Sequence, residues 1–366
     1  MKKLFFIAAI ASAALVSCTK NEVAQTATQQ EISFVAPVVG NHTKGSLSGN
    51  EYPKDHGPFK VYAWYHEGDY VQSNASSYHH YMTDVTVTYD DSKSDATPGT
   101  GAWVTSPTYY WPKNEGAKLS FDAYYPATGI TGTISATPQA GLKIENFVVA
   151  ADCASQIDVL VSQRAWNKEN STSGTNPKYD GVDIMFKHVM SSINFTVATA
   201  ADYGANTIKV KSITVKADGQ GTFKQNVTNA NVEHPFWEAQ TANTSYAVLS
   251  KANAGESIPV TSSAKSIGTE AILLPQNFNT GKTVITIEYY ITNDDETPLL
   301  QTATFDLNSS GYDATETENG TPTSVTVIAW EMGKKYTYNI VFSLNDIYFA
   351  PSVTDWVDVS SEDFGI

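Results

Sequence analysis

Catalysis needs nucleophiles, bases or metal ligands brought together, and this sequence offers few such groupings. Its seven histidines are scattered, and only His79 and His80 are neighbours. Adjacent side chains on a strand point to opposite faces, so this pair does not chelate one ion; a hydrated loop is its expected setting. The run Asn293-Asp294-Asp295-Glu296 carries carboxylates of the kind that bind calcium. It lacks the glycine that turns a calcium loop and reads as a solvated hairpin tip. Cys153 stands apart from any ligand spacing. The chain has no Gly-x-Ser-x-Gly elbow, no His-Glu-x-x-His pair and no phosphate loop. Two carboxylates able to cleave a glycoside need only meet in space, and with 38 acidic residues some pair always offers itself. No enzyme, no cofactor and no metal are expected.

The aromatic residues are the other candidates. Tyr62-Ala63-Trp64-Tyr65 and Tyr109-Tyr110-Trp111 have rings suited to stacking on sugars, which supports a glycan-binding alternative. The alternation around them assigns many of these rings to a core instead. From Phe59 to Tyr65 both faces are apolar, as in a strand covered on each side. Charge narrows the partners further. With 23 basic against 38 acidic side chains, a formal charge of −15, the surface repels a phosphate backbone, and nucleic acid is excluded as a partner.

The elements that must hold these residues are strands. Of the 366 residues, 41% are hydrophobic and 11% aromatic, enough for two cores, with Thr, Val, Ser and Tyr in the proportions of sheets and turns. Period-two alternation marks Ile32 to Ala36, Phe59 to Tyr65, Val85 to Tyr89, Lys118 to Tyr125, Ile157 to Ser162, Ile193 to Val197 and Ile208 to Lys216. It marks also Ala271 to Leu274, Val284 to Ile291, Thr302 to Leu307, Lys335 to Phe342 and Val353 to Ser360. Turn-rich stretches separate them. No long amphipathic helix is visible, and Phe186 to Ser192 is the place for a helical turn or two. A loop poor in apolar residues, Asn167 to Asp180, precedes a fresh apolar run and puts the domain boundary near residue 185.

The N-terminus is an address. Met1 to Cys18 has two lysines, an apolar run from Leu4 to Val16 too short to span a bilayer, and small residues before a cysteine. Leu15-Val16-Ser17-Cys18 resembles a bacterial lipobox, so Cys18 is the expected lipidation site and the outer membrane is reached through lipid. Lipidated Cys18 leaves Cys153 without a partner, and the exported fold does without a disulfide. A polar tether, Thr19 to Gln30, follows.

Several motifs in order resemble the fimbrillins, the pilin subunits of type V pili in Bacteroidetes. They are the lipobox, the early strand Glu31-Ile32-Ser33-Phe34, Thr43-Lys44-Gly45, and Tyr110-Trp111-Pro112 leading to Leu119 through Pro126. Phe186-Lys187-His188, Leu273-Leu274-Pro275-Gln276 and the run Trp330 to Tyr338 continue the series.

The resemblance implies an all-β fold of two transthyretin-like antiparallel β-sandwich domains in tandem. On this reading residues 1–18 are the lipoprotein signal peptide, 19–44 a propeptide with the first strand, 45–185 the N-terminal domain and 186–366 the C-terminal domain with a terminal donor strand. It also implies a stalk pilin. A processing protease cuts after a basic residue in the loop following the first strand, that strand leaves, and the C-terminal strand of another pilin subunit fills the groove. Lys44, followed by Gly45 in an exposed glycine-rich loop, is the expected cleavage site, with Lys54 second. The expected donor is Val353 to Ile366. Val353, Val357 and Val359 lie on one face, and Trp356, Phe364 and Ile366 on the other. The bland reading of that tail is completion of its own sandwich. A non-polymerising surface lipoprotein or tip adhesin, binding glycans or a host or bacterial surface receptor, is the alternative function.

Overall fold

The computed structural model describes residues 30–34, 38–39, 57–93, 101–170, 181–204, 207–229, 232–292, 297–318, 321–343 and 347–356. The fold is almost entirely β, with 63% of the described residues in strands. Its architecture follows from strands that are apolar on both faces. In Phe59–Glu67, Phe59, Val61 and Ala63 enter one core while Tyr62 and Trp64 enter another. Ala117–Tyr125 is built alike, with Leu119, Phe121 and Ala123 on the first side and Tyr124 on the second. These two strands pair with each other along eight positions and divide the two cores.

They form the centre of the first sheet. Its order is Ser33–Phe34, Ala102–Ser106, His79–Asp90, Phe59–Glu67, Ala117–Tyr125, Leu160–Ser162, Met185–His188 and Val38–Val39, with Ala165–Lys168 also on Ala117–Tyr125. A second sheet is organised by Thr207–Lys224, an 18-residue strand. It pairs over its first half with Thr283–Thr292 and near its end with Gly141–Val148, and Phe236–Ser250 runs beside it. In a third sheet Ser191–Thr199 lies parallel to Lys334–Phe342, which pairs with the terminal strand Ile347–Asp355.

Several sequence expectations need correction. Phe186 to Ser192 holds no helical turn: Met185–His188 is a strand, and Ser191 opens the next. Phe186 alternates with half-buried Met185 and Lys187 and has no reason to coil. His79 and His80 are in a strand, not a loop, as the exposed first residues of His79–Asp90. The terminal strand begins six residues earlier than its sequence pattern, at Ile347. Met185–His188 itself pairs with Leu160–Ser162 in the first sheet.

One buried ion pair ties the sheets together. Asp122 and Arg164 are both fully buried. Arg164 donates from Nε to Asp122 Oδ1 at 2.9 Å and from Nη2 to Oδ2 at 2.7 Å, the bidentate fork that a guanidinium matches to a carboxylate. Its Nη1 donates to Pro138 O at 2.6 Å. Asp122 also accepts from Trp64 Nε1 at 2.8 Å and from Gln225 Nε2 at 3.1 Å. Gln225, just past the long strand of the second sheet, uses its Oε1 to accept the Leu142 N–H at 2.7 Å. Gly141 permits this approach: with φ of +76°, a Cβ there would lie 2.4 Å from Gln225 Oε1. The rings of Trp64, Tyr70 and Trp166 surround the guanidinium at 5.1–5.9 Å.

Glu233 completes this centre by accepting the Arg164 backbone N–H at 2.7 Å. Burial, and then the charge of Asp122, raise its pKa above the usual carboxylate value. A carboxyl raised in the fold is protonated more readily there than in the unfolded chain, so the fold gains stability as pH falls from neutral toward that range. Glu233→Gln is expected to remove this gain, measured by denaturant unfolding at neutral and mildly acid pH. Asp122→Asn leaves Arg164 buried without its counter-ion and is expected to cost about 3–5 kcal/mol in the same assay.

Candidate functional site

The groove that holds the start of the chain has the most distinctive geometry. Glu31 bridges to Tyr110, Ile32 N–H donates to Tyr109 O at 2.8 Å, and Trp111 N–H donates to Gln30 O at 2.9 Å. Ser33 and Phe34 then pair antiparallel with Val104 and Trp103. On the opposite edge, Val182 N–H donates to Ser33 O at 2.8 Å, and Val38–Val39 pairs parallel with Met185 and Phe186. The two ends of the first sheet's order are thus one short run of chain, and the sheet closes on itself through it.

Side chains reinforce the backbone. Ile32, Ser33 and Phe34 are 1–2% exposed. The Phe34 ring meets Phe59 and Phe121 edge-on, each at 5.8 Å. Phe59 in turn touches Trp103 at 5.5 Å and Phe186 at 5.4 Å. The cage is therefore aromatic on each side, and such edge-to-face pairs add to area burial. At the outer end, Lys93 Nζ lies 2.9 Å from Glu31 Oε2. A strand so placed fills a slot between two sheet edges. Its removal exposes unpaired backbone groups on both and an apolar floor between them. Phe34→Ala is expected to destabilise the intact chain by about 3–5 kcal/mol, measured by denaturant unfolding.

The last strand among the described residues is anchored. Ile347–Asp355 pairs with Lys334–Phe342 along its whole length and with Tyr312–Glu318 at three positions. Val353 is buried. Lys334 Nζ lies 2.7 Å from Asp355 Oδ1 and 2.9 Å from Glu316 Oε1, and these carboxylates outweigh desolvation and raise the lysine pKa. Trp356 N–H donates to Gly333 O at 2.8 Å, and its ring stacks on His188 at 4.2 Å. His188 Nδ1 lies 2.7 Å from Asp158 Oδ2.

Of the residues singled out from sequence, Val353 and Trp356 thus sit in the chain's own C-terminal sheet or against it. Cys18, Lys44, Gly45, Val357, Val359, Phe364 and Ile366 lie outside the described residues, as does the acidic run at 293–296. Tyr62, Trp64 and Trp111 are buried and offer no sugar platform; Tyr62 and Trp64 stack on each other at 6.1 Å. Cys153 is buried, and burial with nearby Asp152 pushes its thiol up to about 11, leaving it protonated at neutral pH. The sequence reading missed Lys93, Trp103 and Val182 as groove residues. The apolar run after the loop at 167–180 was the one available signal for Val182; nothing in the sequence marked Lys93.

The profile of a family described as fimbrillin-like matches residues 50–356 of the chain. The chain belongs to the fimbrillin-like family. A search of curated protein sequences found no match. Among solved structures, the fold is similar to a fimbrial protein from Bacteroides vulgatus at 16% identity, covering 90% of this chain and all of that one, with a TM-score of 0.60. A candidate cell adhesion protein from Bacteroides uniformis, at 15% identity, covers 91% of this chain and 99% of its own with a TM-score of 0.47. The tip fimbrial protein Mfa3 from Porphyromonas gingivalis, with C-terminal truncation, is 12% identical, covers 82% and 94%, and gives a TM-score of 0.34. The Bacteroides vulgatus protein shares the fold of this fimbrillin-like chain.

Proposed function

We propose that this fimbrillin-like chain is a structural pilin of the stalk, a subunit of a cell-surface fimbrium that supports adhesion. It is exported as a lipoprotein through Cys18 and matured by proteolysis at Lys44–Gly45. The observation that carries the reading is the closing strand. Ser33–Phe34 pairs with Ala102–Ser106, Val38–Val39 pairs with Met185–His188, and Phe34 sits in an aromatic cage. Only the chain's start, upstream of the proposed cut, provides these contacts. A subunit that has lost that segment presents a slot whose affinity for an extended chain comes from main-chain hydrogen bonds and side-chain pockets. Another pilin subunit supplies the strand.

The position of Ile347–Asp355 refines the donor. A strand paired on both edges and fixed by Lys334 to Asp355 is costly to withdraw. The exchanged part is therefore the segment from Val357 onward, with Val353 and Trp356 as the anchor at its root. The acidic surface, the leader and the absence of a catalytic motif in the sequence fit the same role. So does the fimbrillin-like family to which the chain belongs.

Lys44→Ala is expected to leave an unprocessed, monomeric lipoprotein. The test is to treat wild-type and variant chains with a trypsin-like protease, read the new N-terminus, and follow size on an unboiled detergent gel. A cut after Lys44 with a ladder of detergent-resistant multimers in the wild type alone supports the assignment. Multimers from the variant overturn Lys44 as the processing site, and a wild-type monomer that stays single after the cut favours a tip or receptor-binding role.

A further inference from the structure

The second sheet ends on Leu299–Leu307, which pairs along its length with Thr283–Thr292 and, among the described residues, with nothing on its other side. Its nine residues keep register without a shift, so the outer row of backbone N–H and C=O groups is unbroken. Such a row is a template for a further strand, and proteins ordinarily interrupt it. This chain does so elsewhere. Thr133–Thr137, at the sheet's other end, is only five residues long. Phe236–Ser250 is broken by two register shifts, with Ala239 and Ala242 at φ of +52° and +59°. Thr321–Val327, at one end of the third sheet, carries Pro322.

Leu299–Leu307 has none of these guards. The run Leu299-Leu300-Gln301-Thr302-Ala303-Thr304-Phe305 contains no charge and no proline, and Leu299 is 60% exposed and Leu300 41%. Flanking charges are already engaged. Glu288, opposite Thr302, holds Lys211 at 3.0 Å and accepts from Ser212 Oγ at 2.9 Å. Asp306 Oδ1 accepts the Gly281 N–H at 2.7 Å.

Charge and symmetry select the occupant. A basic partner would be drawn to carboxylates, and this strip presents none. A chain of formal charge −15 repels its own copies over most of its surface, whereas along this strip two copies meet without opposing carboxylates. Antiparallel self-pairing about Thr302 sets Leu299 of each copy opposite Phe305 of the other, Leu300 opposite Thr304 and Gln301 opposite Ala303. Leu299 shares the face of Phe305 by alternation, and Phe305 stacks on Phe349 at 4.4 Å. Each exposed Leu299 thus extends the other copy's apolar layer, and the central Thr302 pair is of a favourable cross-strand type.

We propose that two copies of this chain associate by antiparallel pairing of their Leu299–Phe305 edges, joining their second sheets into one. The contact is isologous. It goes beyond the strand-exchange reading, since it needs neither cleavage nor a vacated groove. A single strand pair is smaller than a stable interface of about 1,200 Å², so the association is reversible and is lost on a detergent gel.

The experiment uses the full chain carrying Lys44→Ala, left uncut, so that failure of strand exchange does not bear on the result. Sedimentation over a range of concentrations is expected to show a monomer–dimer equilibrium. Adding Leu299→Glu or Thr302→Lys, both at exposed positions, is expected to weaken the dimer at least about tenfold with thermal melting unchanged. Thr302→Cys is expected to form a disulfide between copies under mild oxidation, and Thr323→Cys, on the proline-bearing edge, to form none. A dimer that survives both charge variants overturns the pairing. So does a chain that sediments as a monomer at every concentration, which leaves the edge to a strand from another protein. A charge-sensitive dimer that Thr302→Cys fails to link overturns antiparallel pairing about Thr302.

Discussion

The bidentate pair of Arg164 and Asp122 is the constraint on which the rest of the molecule depends. Both groups are withdrawn from water, an arrangement tolerated only when every donor and acceptor is used. Asp122 spends its lone pairs on Arg164, Trp64 and Gln225, and Arg164 spends its remaining protons on the Thr137–Pro138 carbonyls. These partners come from the first sheet, from the hairpin of Thr133–Thr137 and Gly141–Val148, and from the end of the long strand in the second sheet. None can shift alone without stranding a charge. The relative position of the sheets is thereby fixed by directional bonds where apolar packing alone would permit sliding.

That rigidity matters for the groove. The Ala117–Tyr125 strand that carries Asp122 toward the ion pair also carries Phe121 toward Phe34. Alternation sends one residue to each side. The floor of the slot is thus set by an interaction on the far side of the same strand, so the slot keeps its shape independently of what fills it.

The sequence was most readable where burial is two-sided and continuous. Phe59 to Tyr65 was legible as a strand covered on each side and Lys118 to Tyr125 as a strand, and the structure places both between two cores. The weaker alternation of Phe236–Ser250, which has many exposed positions, gave no comparable signal. Short pairings set by distant partners were also hidden. Met185–His188 is a strand because Leu160–Ser162 offers it an edge, a fact no local pattern contains. The family motifs drew attention to the first segment, but the Lys93 contact with Glu31 depends on a loop 62 residues away and had no counterpart in spacing. Charge pairs across long separations are set by the fold after it forms.

The closed first sheet has a further meaning for the chain's passage to the surface. An open sheet offers two edges to any neighbour, and proteins ordinarily guard them with charge, proline or a covering loop. Here Ser33–Phe34 covers one edge, on Ala102–Ser106, and Val38–Val39 covers the other, on Met185–His188. That stave acts as an intramolecular chaperone: while it is in place, neither end of the described first sheet is open to a neighbour's strand.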